Sequence, residues 1–110
     1  MEVYSELVES LEKCDAVCNN CAISCLEEVD RMPMSDCIKL NLHCAEVCQL
    51  ALRLLAGDSS QAVSAVELCV ALCDECATSC ETYEYDQCRL SAEACRQTEK
   101  LCTVYLEQAA

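Results

Sequence analysis

The chain has 110 residues and a formal net charge of -13, and we expect one domain with one modest core over residues 1–110. Hydrophobic residues make up 54% of it, yet Phe and Trp are absent and 14 residues are cysteine. The acidic charge argues against nucleic acid or an anionic membrane surface as a partner, because both require Lys and Arg. A single Gly and a single Pro leave few helix breakers, so the predicted fold class is all-α.

The amino-terminal segment MEVYSELVES has neither the basic nor the apolar region of a secretory signal, and no 18-residue apolar run follows it. We therefore expect a cytoplasmic protein, provided that no leader has been removed. In a reducing compartment, so many cysteines indicate metal or redox chemistry rather than a disulfide scaffold.

The first half of the chain predicts two helices. The first runs from about Val3 to Met32, because Pro33 disfavours the helical conformation of the residue before it. The second begins at Pro33 or Ser35 and continues to Ala56. Both are long enough to form neighbouring helices of a bundle.

The second half predicts two more helices. Gly57 fits the left-handed position after the second helix, and Asp58 with Gln61 resembles a capping box for the third. The third helix is expected over about 60–82, and the fourth from its N-cap Asp86 to about residue 108. Four similar helices with short loops predict an antiparallel four-helix bundle.

The cysteines follow the helical period on every predicted helix. Two quartets step by 4, 3 and 4 residues and repeat at an offset of 55, namely Cys14, Cys18, Cys21 and Cys25, then Cys69, Cys73, Cys76 and Cys80. Helices 2 and 4 keep the same phase with Cys37, Cys44 and Cys48, and with Cys88, Cys95 and Cys102. This spacing places all the thiols on the core side of the bundle. We call the core-facing positions of each helix its seam. Three seam positions carry polar residues instead of cysteine: Asn41, Ser91 and Thr98.

Antiparallel packing predicts which thiols share a level. Near one end we expect Cys25, Cys37, Cys80 and Cys88, and deeper in the bundle Cys14, Cys48, Cys69 and Cys102. Beyond the deeper level we expect an apolar plug of Leu7, Leu11, Ala51, Leu55, Val63, Val66, Tyr105 and Leu106. The opposite end, flanked by Met32, Met34, Tyr83 and Tyr85, is the predicted mouth through which metal enters.

Two simpler interpretations of the cysteines are disfavoured. Free cysteine is a small residue that is often buried, but 14 of them in register exceed what packing alone requires. Thiols four residues apart on one helix point the same way and do not reach disulfide geometry, although bridges between helices stay open under oxidation.

Charge favours Cu(I) over other metals that bind thiolates. A zinc ion held by four thiolates leaves two negative charges, which is unfavourable in a dry core. If each thiolate bridges two Cu(I) ions, the charges cancel and the capacity is about 14 ions. Iron-sulfur clusters usually bind to loop motifs rather than to stiff helices. An iron-sulfur redox module and a zinc or metallothionein-like buffer remain as alternatives.

Other candidate ligands are fewer. His43 adjoins Cys44 and either contributes a nitrogen ligand or simply flanks the bundle. Met32 and Met34 are gap fillers or auxiliary thioether ligands at the mouth. No catalytic triad or carboxylate pair is evident in the sequence, and we expect a binding protein rather than an enzyme.

The segments CDAVCNNCAISC, CIKLNLHCAEVC, CVALCDECATSC and CRLSAEACRQTEKLC resemble those of the bacterial four-helix-bundle copper storage proteins. The resemblance covers nearly the whole chain, from Cys14 to Cys102. It implies storage of many Cu(I) ions on the inward cysteines, often in a homotetramer, with copper chaperones or efflux proteins as candidate partners. This chain departs from the family at Asn41, Ser91 and Thr98, which we expect to interrupt a continuous copper array.

Overall fold

Four α-helices account for most of residues 2–109, the part of the chain described by the computed structural model. They are α1 (Glu2–Leu26), α2 (Ser35–Ala56), α3 (Ala62–Cys80) and α4 (Asp86–Ala109), and a 3-10 turn at Met32–Met34 precedes α2. No β-strand occurs in this part of the chain. The predicted all-α class is therefore confirmed, as are the start and end of α2 and the start of α4.

The helices form an antiparallel four-helix bundle, as predicted. Helix α1 packs between α2 and α4, and α3 packs between the same two neighbours on the opposite side. Helices α2 and α4 are thus diagonally opposed, and so are α1 and α3. The bundle measures 44 × 19 × 18 Å. Of the helices described here, none has a stretch both long and apolar enough to cross a membrane.

The first helix is shorter than the sequence predicted. It ends at Leu26 rather than Met32, and the amides of Glu27 and Glu28 donate to carbonyls three residues earlier in the chain. Pro33 lies instead within the 3-10 turn. A proline sets only the latest point at which a helix ends, and here the chain begins to reverse direction several residues earlier.

The left-handed residue that follows α2 lies one position later than predicted. Gly57 has an ordinary φ of -86°, and Asp58 takes the left-handed conformation with φ 53°. The amide of Asp58 donates to the carbonyl of Leu55, and the amide of Ser59 donates to that of Leu54. These two bonds form a Schellman motif. The predicted capping box is wrong as well: α3 begins at Ala62, and the amide of Gln61 donates to the Ser59 hydroxyl.

The left-handed Asp58 leads to a stability prediction. Asp58→Gly is expected to raise the free energy of unfolding by about 0.5–1 kcal/mol, because glycine adopts positive φ without the steric cost of a Cβ. Gly57→Ala is the control: an added Cβ would meet only the Arg53 carbonyl, at 3.3 Å, and a smaller change is expected. Urea unfolding of the reduced proteins measures both. A destabilised Asp58→Gly variant would contradict the assignment.

One end of the bundle is closed by apolar side chains. Leu7, Leu11, Ala51 and Val66 are fully buried there, and Leu55 is nearly so. Tyr105 and Leu106 pack partly buried against this core. The prediction for Val63 is wrong, since this side chain is exposed, and Ala62 and Ala65 are the buried residues at the start of α3. We call Leu7, Leu11, Ala51, Leu55 and Val66 the plug.

The two interhelical loops at the other end are tied together. The Tyr83 hydroxyl donates to the Pro33 carbonyl at 3.0 Å, and the rings of Tyr83 and Tyr85 stack with centroids 6.4 Å apart. Met34 is buried in the core, whereas Met32 is 79% exposed. The predicted mouth is thus covered by Met34 and the tyrosine pair.

Candidate metal centre

All 14 cysteines are free thiols, and each is at most 1% exposed. Their spacing by three and four residues keeps them on one face of each helix, and that face is turned to the bundle axis. The predicted inward orientation of the cysteines is therefore confirmed. The bundle core between the plug and the mouth consists largely of sulfur.

Seven thiols form one connected network, which extends from the middle of the bundle toward the plug. Neighbouring sulfurs in it are 3.6–3.9 Å apart. We call these seven the inner thiols: Cys14, Cys18, Cys44, Cys48, Cys69, Cys73 and Cys95. Cys44 and Cys95 touch at 3.7 Å from diagonally opposed helices, so the interior is only about two sulfur atoms wide at that level.

The inner thiols contain two groups of four whose sulfur atoms all lie within 4.8 Å of one another. One group is Cys14, Cys44, Cys48 and Cys73, and the other is Cys14, Cys18, Cys44 and Cys95. Because Cys14 and Cys44 belong to both groups, metals bound there would share ligands.

Five further thiols surround the mouth, and we call them the mouth thiols: Cys21, Cys25, Cys37, Cys80 and Cys88. Their sulfur contacts are 3.6–4.0 Å long. They form two groups of three that share Cys88. The sequence predicted four of them at this level, and the structure adds Cys21.

The two remaining thiols lie at the margins of these sets. Cys76 contacts the Ser91 hydroxyl at 3.8 Å. Cys102 lies beside Cys69, and hydrogen bonding to that thiol together with burial raises the pKa of Cys102. Cys48 contacts Cys69 at 3.9 Å and lies within 4.8 Å of Cys14, which is consistent with the predicted deep level of Cys14, Cys48, Cys69 and Cys102.

The three polar seam residues are all fully buried. The Ser91 hydroxyl donates to Asn41 Oδ1 at 2.6 Å, which joins α4 to α2. Thr98 instead bonds to Ser10 on α1, with 2.7 Å between the hydroxyl oxygens. Of the three polar residues predicted to interrupt the copper array, only Asn41 and Ser91 therefore contact each other in the interior.

His43 lies on the exposed face of α2 and belongs to none of the thiol groups. A helix turns by about 100° per residue, so the two neighbours of Cys44 lie on different sides of it: Ala45 is buried, and His43 is exposed to solvent. Of the two interpretations of His43, this position favours the one in which it flanks the bundle.

Gln87 is a polar contact of the mouth that sequence reasoning missed. Its amide nitrogen donates to the Cys25 sulfur at 3.8 Å and to a Glu28 carboxylate oxygen at 2.9 Å. The only signal in the sequence was its position next to Cys88. Gln87 links the Glu28 carboxylate to a mouth thiol.

The buried thiols perturb each other's proton affinity in both directions. The contact with Cys14 raises the pKa of Cys18, but hydrogen bonds with Cys44, Cys76 and Cys95 outweigh it and lower that pKa to about 5. Burial, followed by the charge of Cys25, raises the pKa of Cys88. A core of this kind holds its protons in shared hydrogen bonds, and metal binding must displace them.

The sulfur spacing is compatible with more than one soft metal. Tetrahedral zinc with Zn–S bonds near 2.3 Å requires sulfur atoms about 3.8 Å apart, close to the contacts observed here. However, the two groups of four overlap, and two zinc ions would then have to share thiolates. Cu(I) accepts low coordination numbers and bridging thiolates readily.

The fold and the thiol network together define a helical-bundle protein with a sulfur-lined core suited to soft metal ions. Residues 1–107 match the family model of the copper storage proteins. The chain belongs to this family, and the resemblance noted in its sequence is confirmed.

Similar proteins of known sequence or structure support this assignment. The cysteine-rich protein YhjQ of Bacillus subtilis is 37% identical over 95 residues, which cover 86% of this chain and 88% of the relative. The Cu(I)-bound copper storage protein BsCsp3 superposes with a TM-score of 0.88 at 31% identity, covering 93% and 96% of the two chains. A cytosolic copper storage protein from Streptomyces lividans, with five coppers, gives a TM-score of 0.92 at 27% identity, covering 96% and 93%.

Proposed function

We propose that this protein stores multiple Cu(I) ions in the cytoplasm, as cargo held by the cysteine thiolates inside the bundle. The observation that carries the proposal is the dry core of 14 thiols, in which groups of three and four sulfurs already lie within 4.8 Å of one another. Such a core binds metal with little rearrangement of the helices. The Cu(I)-bound and copper-loaded relatives support the same cargo.

Charge is the physical reason for preferring Cu(I). The chain already carries a formal charge of -13, and a core of thiolates adds further negative charge in a medium of low dielectric. One Cu(I) per thiolate neutralises the core completely. A ratio of one zinc to four thiolates would leave two charges per site uncompensated.

We assign no catalytic role to the chain. A redox-inert store needs its metal to be shielded from solvent, and the ligands proposed here are all buried. The cytoplasmic location is supported by the description of the Streptomyces lividans relative as cytosolic. Copper chaperones or efflux proteins are the proposed donors and acceptors of the cargo.

We also propose that residues 1–110 form one domain and that this domain assembles as a homotetramer, as the family resemblance implies. Large apolar side chains exposed on the outer surface support self-association, among them Ile23, Leu26, Leu42, Leu50 and Leu68. Light scattering of the reduced protein tests this assembly. A monomer at micromolar concentration would contradict it and leave the copper proposal untouched.

The storage proposal is tested by anaerobic titration of the reduced, metal-free protein with Cu(I) against a competing chromogenic chelator. We expect about 14 equivalents to bind before the chelator takes up copper, by the ratio of one ion per thiolate. Thiol reactivity should fall in parallel, and helix content should change little. A break after a few equivalents, or none at all, would contradict storage.

The same preparation separates the two alternatives. A zinc buffer would saturate with Zn(II) at about three or four ions per chain and would hold them against Cu(I). An iron-sulfur module would yield iron and acid-labile sulfide after anaerobic purification. We expect Cu(I) to displace zinc and no stoichiometric sulfide.

A further inference from the structure

Asn41 and Ser91 join two diagonally opposed helices across the interior of the bundle. Both residues are fully buried, and the Ser91 hydroxyl donates to Asn41 Oδ1 at 2.6 Å. The Asn41 amide nitrogen donates to the Cys37 carbonyl at 2.8 Å and lies 3.4 Å from the Cys80 sulfur. We call this hydrogen-bonded pair the crossbar.

The crossbar lies at one level of the bundle because α2 and α4 both start at the mouth, and each residue follows shortly after the start of its helix. The Ser91 oxygen also contacts Cys18 on α1 at 3.6 Å and Cys76 on α3 at 3.8 Å. All four helices therefore contribute a side chain that meets at this level. The interior is filled there.

The crossbar lies at the level where the sulfur network narrows to a single thiol, Cys76. On its outer side lie the mouth thiols, and on its inner side lie the inner thiols. Within residues 2–109, no sulfur–sulfur hydrogen bond joins the two sets. In the same part of the chain, no group of metal-competent thiols contains members of both sets. Cys76, beside Ser91, is the one thiol that interacts with both sets, with Cys18, Cys44 and Cys95 among the inner thiols and with Cys80 among the mouth thiols.

The chemistry of the crossbar opposes the passage of copper. Cu(I) prefers soft thiolates, and a neutral amide or hydroxyl oxygen is a hard and weak ligand. Both crossbar side chains are satisfied by hydrogen bonds, and separating them in a dry core leaves polar atoms without partners. The far end of the bundle is closed by the plug. Copper on the inner thiols must therefore pass the level of the crossbar to leave along the axis, and Cys76 is the one thiol there that interacts with both sets.

We propose that the crossbar divides the store into two compartments. The mouth thiols hold a pool of Cu(I) that exchanges quickly, and the inner thiols hold a reserve that is released only when the Asn41–Ser91 bond opens. At one ion per thiolate, the mouth pool is about five ions and the other nine thiols hold about nine. The inference rests on the proposed storage function and adds an order of release to it.

The test is the release of Cu(I) from the fully loaded protein into excess chelator, followed by absorbance. We expect two phases, with amplitudes near five and nine ions and rates that differ at least tenfold. A single phase after binding of about 14 equivalents would overturn the partition and leave storage intact. Failure to bind more than a few equivalents would overturn storage itself.

Two variants with one added thiol distinguish the crossbar from other causes of biphasic release. Ser91→Cys removes the hydroxyl and places sulfur between the two sets, so the slow phase should accelerate about tenfold or more and merge with the fast one. Thr98→Cys is the matched control, since it adds a thiol to the same seam of α4 on the inner side. Both variants should bind about one ion more than the parent, and only Thr98→Cys should retain two phases.

A substitution at the other crossbar residue keeps the proposal testable if Ser91→Cys fails to fold. Asn41→Cys removes the crossbar from the α2 side and is expected to reproduce the single phase of Ser91→Cys. Helix content and capacity of the loaded variants establish that each is folded. Two phases of unchanged rate in a folded variant at either position would overturn the role of the crossbar.

Discussion

Leu11→Ala is expected to lower the free energy of unfolding of the metal-free protein by about 2–5 kcal/mol, the range for a buried leucine that leaves a cavity. Leu11 is fully buried in the plug. The chain has no Phe or Trp, and most of its other buried side chains are cysteine and alanine. Few large side chains therefore stabilise the apoprotein, and a domain of this size has only about 5–15 kcal/mol of stability.

Urea unfolding of the reduced apoprotein, followed by far-UV circular dichroism, measures this effect. Leu90→Ala is the matched control, because Leu90 is 48% exposed on α4 and its loss should change stability by no more than about 0.5 kcal/mol. Equal effects of the two substitutions would contradict the assignment of the plug. The copper capacity of Leu11→Ala should equal that of the parent, since no thiol is changed. Loading with Cu(I) should restore much of its stability by linkage.

The double substitution Cys14→Ala and Cys44→Ala is expected to reduce the Cu(I) capacity by about four ions rather than two. These two thiols belong to both inner groups of four. Without them, one group keeps only Cys48 and Cys73 and the other only Cys18 and Cys95. Each remaining pair holds about one two-coordinate ion, where the six thiols together held about six.

The control removes the same number of thiols from positions that belong to one group each. Cys25→Ala with Cys37→Ala leaves Cys21, Cys80 and Cys88 in place at the mouth and should cost about two ions. Anaerobic Cu(I) titration against the chelator compares both proteins with the parent. Equal losses in the two double variants would show that copper does not form clusters around the shared thiols.

The repeating apolar and cysteine pattern was sufficient to predict the helices and their arrangement. The period of three and four residues depends only on helix geometry, so the burial of every cysteine followed from it. The same rule left His43 open, because one neighbour of Cys44, Ala45, is buried and only the structure shows that the other, His43, is exposed. The long helices and short loops permitted only an antiparallel order.

The sequence predictions were wrong at helix ends, where more than one residue fits the local backbone conformation. Gly57 and Asp58 both tolerate the end of a helix, and the Schellman bonds from Leu54 and Leu55 put the left-handed conformation at Asp58. Pro33 limited the first helix without showing that the chain begins to turn after Leu26. Val63 fits the helical period of the plug, but α3 begins there and its buried face is formed by Ala62 and Ala65.

By itself, the sequence determined that this protein is an acidic, all-α bundle with an interior of thiols, because composition and helical period are local properties of the chain. Only the tertiary structure decided which thiols touch. Sulfur contacts between helices depend on the axial register of four helices, which spacing along one helix does not specify. The same register brings Asn41 to Ser91 and sends Thr98 to Ser10. Three polar residues that look equivalent in the sequence therefore have two different roles: Asn41 and Ser91 form the crossbar, and Thr98 forms a separate interhelical hydrogen bond.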